Sequence, residues 1–472
     1  MTNTPLSPLP PAPPMTGFPP FPGAFPGAPF AAPLQPAPQP PPRPIEFRLA
    51  EDPADTEGWV IRGKVLNRPG LRGMAADSSR RALLLDPGQG AAWAERALAL
   101  SHCGRHAEAL HAIRRALALA PADPDALFRL TVALQRRGDF PACRPALERL
   151  IRLQPELPSH RWGRAQVRLH EGEYEEGFAD YECRYWLDEY QLQAYRPHPG
   201  PRWTGQPLDG RIVMVTTEQG FGDTIMMARY LPLLKGLGAR RVVVERADEL
   251  RRLFDGMEGV DAFVPRDVAP TPIYHVHSSI MSLPHRFGTT AATVPPPARL
   301  TVPEEARAKA ARLLGARDGR FRVGIVWSGN QGFSDNHIRA AGLDRFLPLL
   351  SVPGTAFYSL QKGPPEAELQ ALPDAPITAL GPEMQDFADT AAVLEELDLV
   401  IMTDSSVAHL AGSLGVPVWN LVQHVPYWVY GRTGPTTPWY PSMRLYRQGP
   451  DEDWTPVFEA VRGDLERMAA GR

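Results

Sequence analysis

Four prolines, Pro53, Pro87, Pro121 and Pro155, stand 34 residues apart, and Gly70, Gly104, Gly138 and Gly172 keep the same interval midway between them. A fixed period of that length marks a solenoid of helix pairs, in which each pair leaves an apolar face that only its neighbour can cover. The glycine suits the turn between the two helices of a pair, and the proline ends the second helix. In the second repeat Trp93, Ala97, Ala109 and Ala116 fall where small or flat side chains let helices approach closely. The third repeat keeps Leu127, Phe140 and Leu147, and the fourth keeps Ala165, Tyr174 and Tyr181. The first, with Gly63, is degenerate, as terminal repeats often are. A helical array is therefore expected over residues 46–190.

The array is preceded by a different kind of chain. Residues 1–44 hold 18 of the 54 prolines and one charge, Arg43, so the segment 1–45 reads as a disordered proline-rich tail. A net charge of -3 gives no reason to expect nucleic acid or an anionic membrane as partner. No apolar run approaches the ~20 residues of a membrane span, and no charged n-region precedes an apolar stretch near the start. Cys103, Cys143 and Cys183 lack metal-ligand spacing and read as buried, reduced thiols, so a cytoplasmic protein is expected.

Beyond a proline-rich connector (Pro197, Pro199, Pro201, Trp203, Pro207), apolar runs alternate with helical patterns. The runs are 212–215, 241–245, 273–277, 323–327, 356–360, 399–402 and 416–422. That alternation predicts two doubly wound α/β units, residues 205–300 and 318–472, with a charged helix from Pro303 near their junction. A final helical pattern, 454–468, is expected to cross back to the first unit.

Ligands bind parallel sheets at the carboxyl ends of strands, and helix N-termini there offer free N–H groups to phosphate. Four strand ends carry suitable residues. After 212–215 comes Glu218-Gln-Gly-Phe-Gly222-Asp223, where glycines let a substrate approach the backbone. Asp223 fits two roles, a general base for an acceptor hydroxyl or a cap on the helix that follows. After 323–327 come Ser328, Gly329 and Asn330, with Arg339 beyond, either a phosphate partner or a solvated surface cation. Lys362, after 356–360, either neutralises a diphosphate or decorates the surface. After 399–402 stands Asp404-Ser405-Ser406-Val-Ala-His409. The serines cap a helix and donate to phosphate oxygens; Asp404 binds a sugar hydroxyl or caps; His409 reaches a ligand oxygen or packs in the core. His424 and Tyr427-Trp428 either line the cleft or pack.

Taken together, Glu218-Gln-Gly-Phe-Gly-Asp223, Gly324-Ile-Val-Trp-Ser-Gly-Asn330, Leu360-Gln-Lys-Gly363 and Asp404-Ser-Ser-Val-Ala-His409-Leu-Ala-Gly412 form a familiar set. With the repeats, it resembles bacterial tetratricopeptide-repeat proteins carrying a C-terminal glycosyltransferase domain similar to heptosyltransferase-like family 9 glycosyltransferases. The resemblance covers roughly residues 50–450. It implies a GT-B architecture of two Rossmann-like halves, a nucleotide-sugar donor on the second half, and no metal or other cofactor. It implies that Asp223 is the base and that Asp404, Ser405 and His409 belong to the donor-phosphate motif. Ala340 departs from the pattern, since similar proteins carry Ser after the arginine. The array would recruit a protein acceptor on its concave surface, and flagellin is the acceptor this layout suggests. Two alternatives stand beside this expectation: a non-catalytic repeat scaffold with a degenerate domain, and a transferase acting on lipopolysaccharide sugar.

Overall fold

The computed structural model describes residues 44–471 except 69, 188–197, 247, 266–272 and 334. The proline-rich tail therefore lies outside the described residues, save its last two.

Among the described residues, the 34-residue period becomes nine helices. A short α1 (Ile45–Glu51) leads into four antiparallel pairs: α2 (Thr56–Leu66) with α3 (Arg72–Leu85), α4 (Gly90–His102) with α5 (His106–Leu119), α6 (Pro124–Arg136) with α7 (Phe140–Leu153), and α8 (Pro158–His170) with α9 (Tyr174–Tyr181). Gly70, Gly104, Gly138 and Gly172 turn the four pairs at φ 82°, 74°, 74° and 79°, a left-handed conformation that other residues enter at a cost. Ala97, Ala109 and Ala116 are completely or almost completely buried where the helices meet. Cys143 and Cys183 are buried as expected, and burial pushes both thiols up to about 12. Cys103 is exposed instead, because it caps α4 at the edge of the Gly104 turn.

Among the described residues, two all-parallel sheets follow. The first runs β3 (Ala262–Pro265), β2 (Arg241–Arg246), β1 (Ile212–Thr216), β4 (Val276–Ser279). The second runs β10 (Met443–Arg447), β9 (Val418–Val422), β8 (Leu399–Thr403), β5 (Phe321–Val326), β6 (Thr355–Ser359), β7 (Ile377–Ala379). In each sheet the chain starts centrally, winds outward one way, then returns to wind the other way. The order thus reverses between β1 and β4 and again between β5 and β8, the places where a parallel sheet opens a crevice for ligands. Helices that matter below are α10 (Phe221–Met227), α11 (Glu304–Leu314), α12 (Phe387–Glu395), α13 (Ser406–Ser413) and α14 (Thr455–Ala470). The helix expected from Pro303 is α11, with Pro303 as its N-cap.

Two expectations need correction. The strand placed at 273–277 begins three residues later, at Val276. The terminal helix α14 does not return to the first unit. Val457, Phe458, Val461 and Leu465 pack with Phe321, Leu399 and Trp419 on the second sheet, because burying this apolar stripe against that core removes it from water.

One continuous core joins the last repeat to both sheets. It includes Tyr174, Phe178 and Tyr181 of the array, Val213 and Val215 of β1, and Val400 and Met402 of β8. Arg252 of the first unit bonds Asp386 and Asp389 at the start of α12, each at 3.0 Å. Among the described residues, no helix is long and apolar enough to cross a membrane.

Candidate functional site

The carboxyl end of β1 runs into a tight turn before α10. Gln219 sits there at φ 65°, a conformation that strains a non-glycine residue, and its amide donates to the Tyr181 hydroxyl at 2.5 Å. Gly220 caps α10, and Asp223 Oδ2 accepts the Gly220 N–H at 3.1 Å. The cap role is therefore real. It uses one oxygen only. Oδ1 faces the other unit, where the Tyr427 hydroxyl donates to it at 3.0 Å. Burial pushes the Asp223 carboxyl up to about 6, Tyr427 and the Gly220 N–H pull it down, and the negative charges of Asp404 and Glu218 add to the rise. A carboxylate raised in this way is suited to accept a proton near neutral pH.

The opposing edge belongs to β8 and α13. Ser405 is the N-cap of α13, its Oγ accepting the Val407 N–H at 3.3 Å. Asp404 Oδ1 takes the Tyr430 hydroxyl at 2.7 Å, and its Oδ2 lies 3.7 Å from Arg339 Nη1. His409 is buried, with Nδ1 3.0 Å from the Tyr440 hydroxyl. Burial pushes its pKa down to about 4, so the ring is neutral at pH 7 and offers hydrogen bonding rather than charge. Gly222 brings the two edges into contact. A Cβ there would lie 2.7 Å from His409 Cδ2 and 3.3 Å from the Ser406 Cα. Gly222→Ala should therefore push α10 from α13 and cost about 1–3 kcal/mol, measurable as a lower denaturation midpoint. An unchanged midpoint would refute the close crossing.

The β5 end contributes a polar chain. Gln361 Oε1 accepts the N–H groups of Trp327 and Ser328 at 3.1 and 3.0 Å. Asn336 Nδ2 donates to Ser328 Oγ at 3.1 Å, and Asn336 Oδ1 accepts from Arg339 Nε at 3.1 Å. Ser328, Asn336, Arg339 and Asp404 thus form one line along the β5–β8 crevice.

The structure brings together Gly222, Asp223, Ser328, Arg339, Asp404, Ser405, Ser406 and His409. It leaves out two expected residues. Asn330 is exposed and closes its own loop, Oδ1 accepting the Gly332 N–H at 2.9 Å. The Lys362 ammonium donates to the carbonyls of Gly381, at 3.0 Å, and Met384. It ties the 380–384 loop down instead of facing the crevice. Residues the sequence did not single out are Asn336, Gln361, Tyr430, Tyr440 and Arg229. Arg229 of the first unit lies 5.0 Å from the Trp439 ring and 5.0 Å from the Tyr440 ring of the second. No group of three or more His, Cys, Asp or Glu side chains able to hold a metal occurs among the described residues.

The array seats on this site from behind. His170 Nε2 lies 2.9 Å from the Pro426 carbonyl, His424 Nε2 3.2 Å from the Arg137 carbonyl, and Trp439 Nε1 donates to the Tyr174 hydroxyl at 3.0 Å. Arg432 donates to the Gly138 carbonyl at 3.2 Å. The inter-helix turns of the third and fourth repeats therefore meet the loops after β9.

A tetratricopeptide-repeat family model matches residues 90–132, so the array carries that sequence signature as well as its spacing. Protein FlbA of Caulobacter vibrioides is 28% identical over 341 residues, a match taking in 67% of this chain and 56% of FlbA. The chain thus spans little more than half the length of that relative. Among solved structures, a family 9 glycosyl transferase from Veillonella parvula is similar at 14% identity and a TM-score of 0.40, covering 55% of this chain and 91% of that one. A Thermobaculum terrenum O-GlcNAc transferase mutant is similar at 15% identity and a TM-score of 0.31, covering 89% of this chain and 94% of that one.

Proposed function

We propose that this chain is a glycosyltransferase that moves a sugar from a nucleotide-sugar to a hydroxyl of a protein bound by the repeat array. The observation that carries the reading is the meeting of two sheet-edge motifs. Asp223, with its raised pKa, comes from the β1–β4 crevice, and the Asp404–His409 helix start comes from the β5–β8 crevice beside it. The acceptor oxygen forms a bond to the sugar carbon as the bond from that carbon to the diphosphate breaks. Asp223 takes the hydroxyl proton and later releases it to solvent. The diphosphate leaves toward the positive N-terminal end of α13, with Arg339 and Ser328 as donors. No metal or other cofactor is required by this reading.

The test compares intact masses of host proteins from strains with and without the gene, flagellin among them. A sugar-sized mass present only with the gene supports the reading; identical proteomes refute it. The second reading, a non-catalytic scaffold, is favoured by the contact of Gly222 with His409 and by the engagement of Lys362 with main-chain carbonyls. Titration calorimetry against nucleoside diphosphates separates the two. The transferase should bind one of them, and a scaffold should release no heat with any.

A further inference from the structure

The segment after β9 places two phenols on the two site carboxylates. Tyr427 and Tyr430 are three residues apart, and a short 3-10 turn, Trp428–Tyr430, aims one at Asp223 of the first unit and the other at Asp404 of the second. Burial and the adjacent carboxylates hold both phenols well above their ordinary pKa, so at neutral pH each is a hydrogen-bond donor. The segment is itself held. The Pro426 carbonyl takes the His170 ring, Trp428 packs edge-on against Tyr174 at 5.9 Å and Phe178 at 5.4 Å, and the Val429 carbonyl accepts the Thr437 hydroxyl at 2.6 Å. Each carboxylate oxygen can accept two hydrogen bonds, so Asp223 Oδ1 keeps a lone pair for an acceptor proton while Tyr427 fixes its rotamer.

We propose that Tyr427 and Tyr430 are positioning residues, which fix the base carboxylate of one unit against the donor-side carboxylate of the other from a segment seated on the repeats. This rests on the transferase reading above. It makes the array part of the catalytic geometry in addition to any role in recruitment. The titratable groups facing Asp223 are Glu218 on its own turn, Asp404 beyond β8, Tyr427, Tyr440 and, from the array, Tyr181.

The test uses full-length protein labelled with 13C at the aspartate carboxyl carbons, the Asp223 signal being assigned by its loss in Asp223→Asn. Tyr427→Phe removes one oxygen from a ring that otherwise stays packed. The Asp223 titration should move up by roughly one unit in Tyr427→Phe, because a donor to the charged form is lost. It should stay in place in Tyr430→Phe. Transfer is followed by intact mass in lysate of the deletion strain, which supplies donor and acceptor. There the acid limb of the rate should move up in step in Tyr427→Phe, with a loss of about fivefold at pH 6. A titration and acid limb unmoved by Tyr427→Phe overturn the positioning role. Full transfer by Asp223→Asn overturns the underlying reading instead, so the two failures are told apart.

Discussion

Asp223→Asn is expected to abolish measurable transfer, a loss of about 10²- to 10⁴-fold for removal of a general base, while nucleotide binding changes little. Asn keeps the shape, and its side-chain oxygen can still accept the Gly220 N–H that stabilises the start of α10. What it cannot do is take a proton. The binding groups on α13 belong to a separate unit and touch Asp223 only through Tyr427 and the Gly222 crossing. Calorimetry on the variant should therefore match the parent with the same nucleoside diphosphate. Transfer at the parent rate would sink the assignment of the base.

The same residue links activity to pH and stability. A base pushed up to about 6 should give a rate that falls as pH drops through 6, as the carboxylate gains its proton. The stability sign is opposite to that of a salt-bridged aspartate. Because the folded pKa exceeds the unfolded one, the native state binds the proton more tightly. Ionisation of Asp223 therefore costs stability as pH rises from about 4 through 6. Asp223→Asn should thus be more stable than the parent at pH 8, and its advantage should vanish near pH 4. Denaturant midpoints at the two pH values check this. No gain at pH 8 would mean that the carboxylate is not strained by its surroundings.

Much of the architecture is legible in the sequence because it rests on periods. The repeats announce themselves by glycine and proline at a 34-residue interval, and the central strands by unbroken apolar runs such as Leu399–Met402. Where no such run stands, a strand is missed, as β10 is, or displaced, as β4 is by three residues. β10 reads Met-Arg-Leu-Tyr-Arg because it is an edge strand with Arg444 exposed. β4 reads Val-His-Ser-Ser because its buried polar groups are satisfied by partners elsewhere, Ser279 by Glu218. The site shows the same division. Gly222, Asp223 and the Asp404–His409 run are visible as turn and cap chemistry at strand ends. Tyr430 is not, and Tyr427 shows only as a residue that lines the cleft or packs, since its pairing with Asp223 crosses 204 positions and follows no spacing rule. Lys362 was placed at the right strand end, but spacing does not report where a flexible side chain points, and it found carbonyls nearer than the crevice.

Arg184 carries the second large prediction, because it locks the array to the β1 turn. Its side chain is fully buried between the last repeat and the first sheet. It donates to Glu218 Oε1 through Nη2 at 2.6 Å and Nε at 3.0 Å, to Glu182 at 2.6 Å, and to Ser282 Oγ at 2.8 Å. Arg184→Met would leave the Glu218 carboxylate buried without its cation. Breaking one side of a buried pair costs about 3–5 kcal/mol, far more than the pair contributes relative to apolar residues. The expected result is a large fall in the denaturation midpoint. Adding Glu218→Gln should restore part of it, because the stranded charge is then gone. If the single variant matches the parent, Arg184 is not the lock. Glu218 begins the turn that delivers Asp223, so a surviving Arg184→Met protein should also lose transfer. For the same reason, cutting away residues 50–188 cannot isolate acceptor recruitment. It would strip Trp428 and Trp439 of Tyr174 and Phe178, and Glu218 of Arg184, destroying the site together with the arm. Recruitment has to be tested by point substitutions on array helices away from the α/β units, with the 13C titration of Asp223 unchanged as proof that the site is intact.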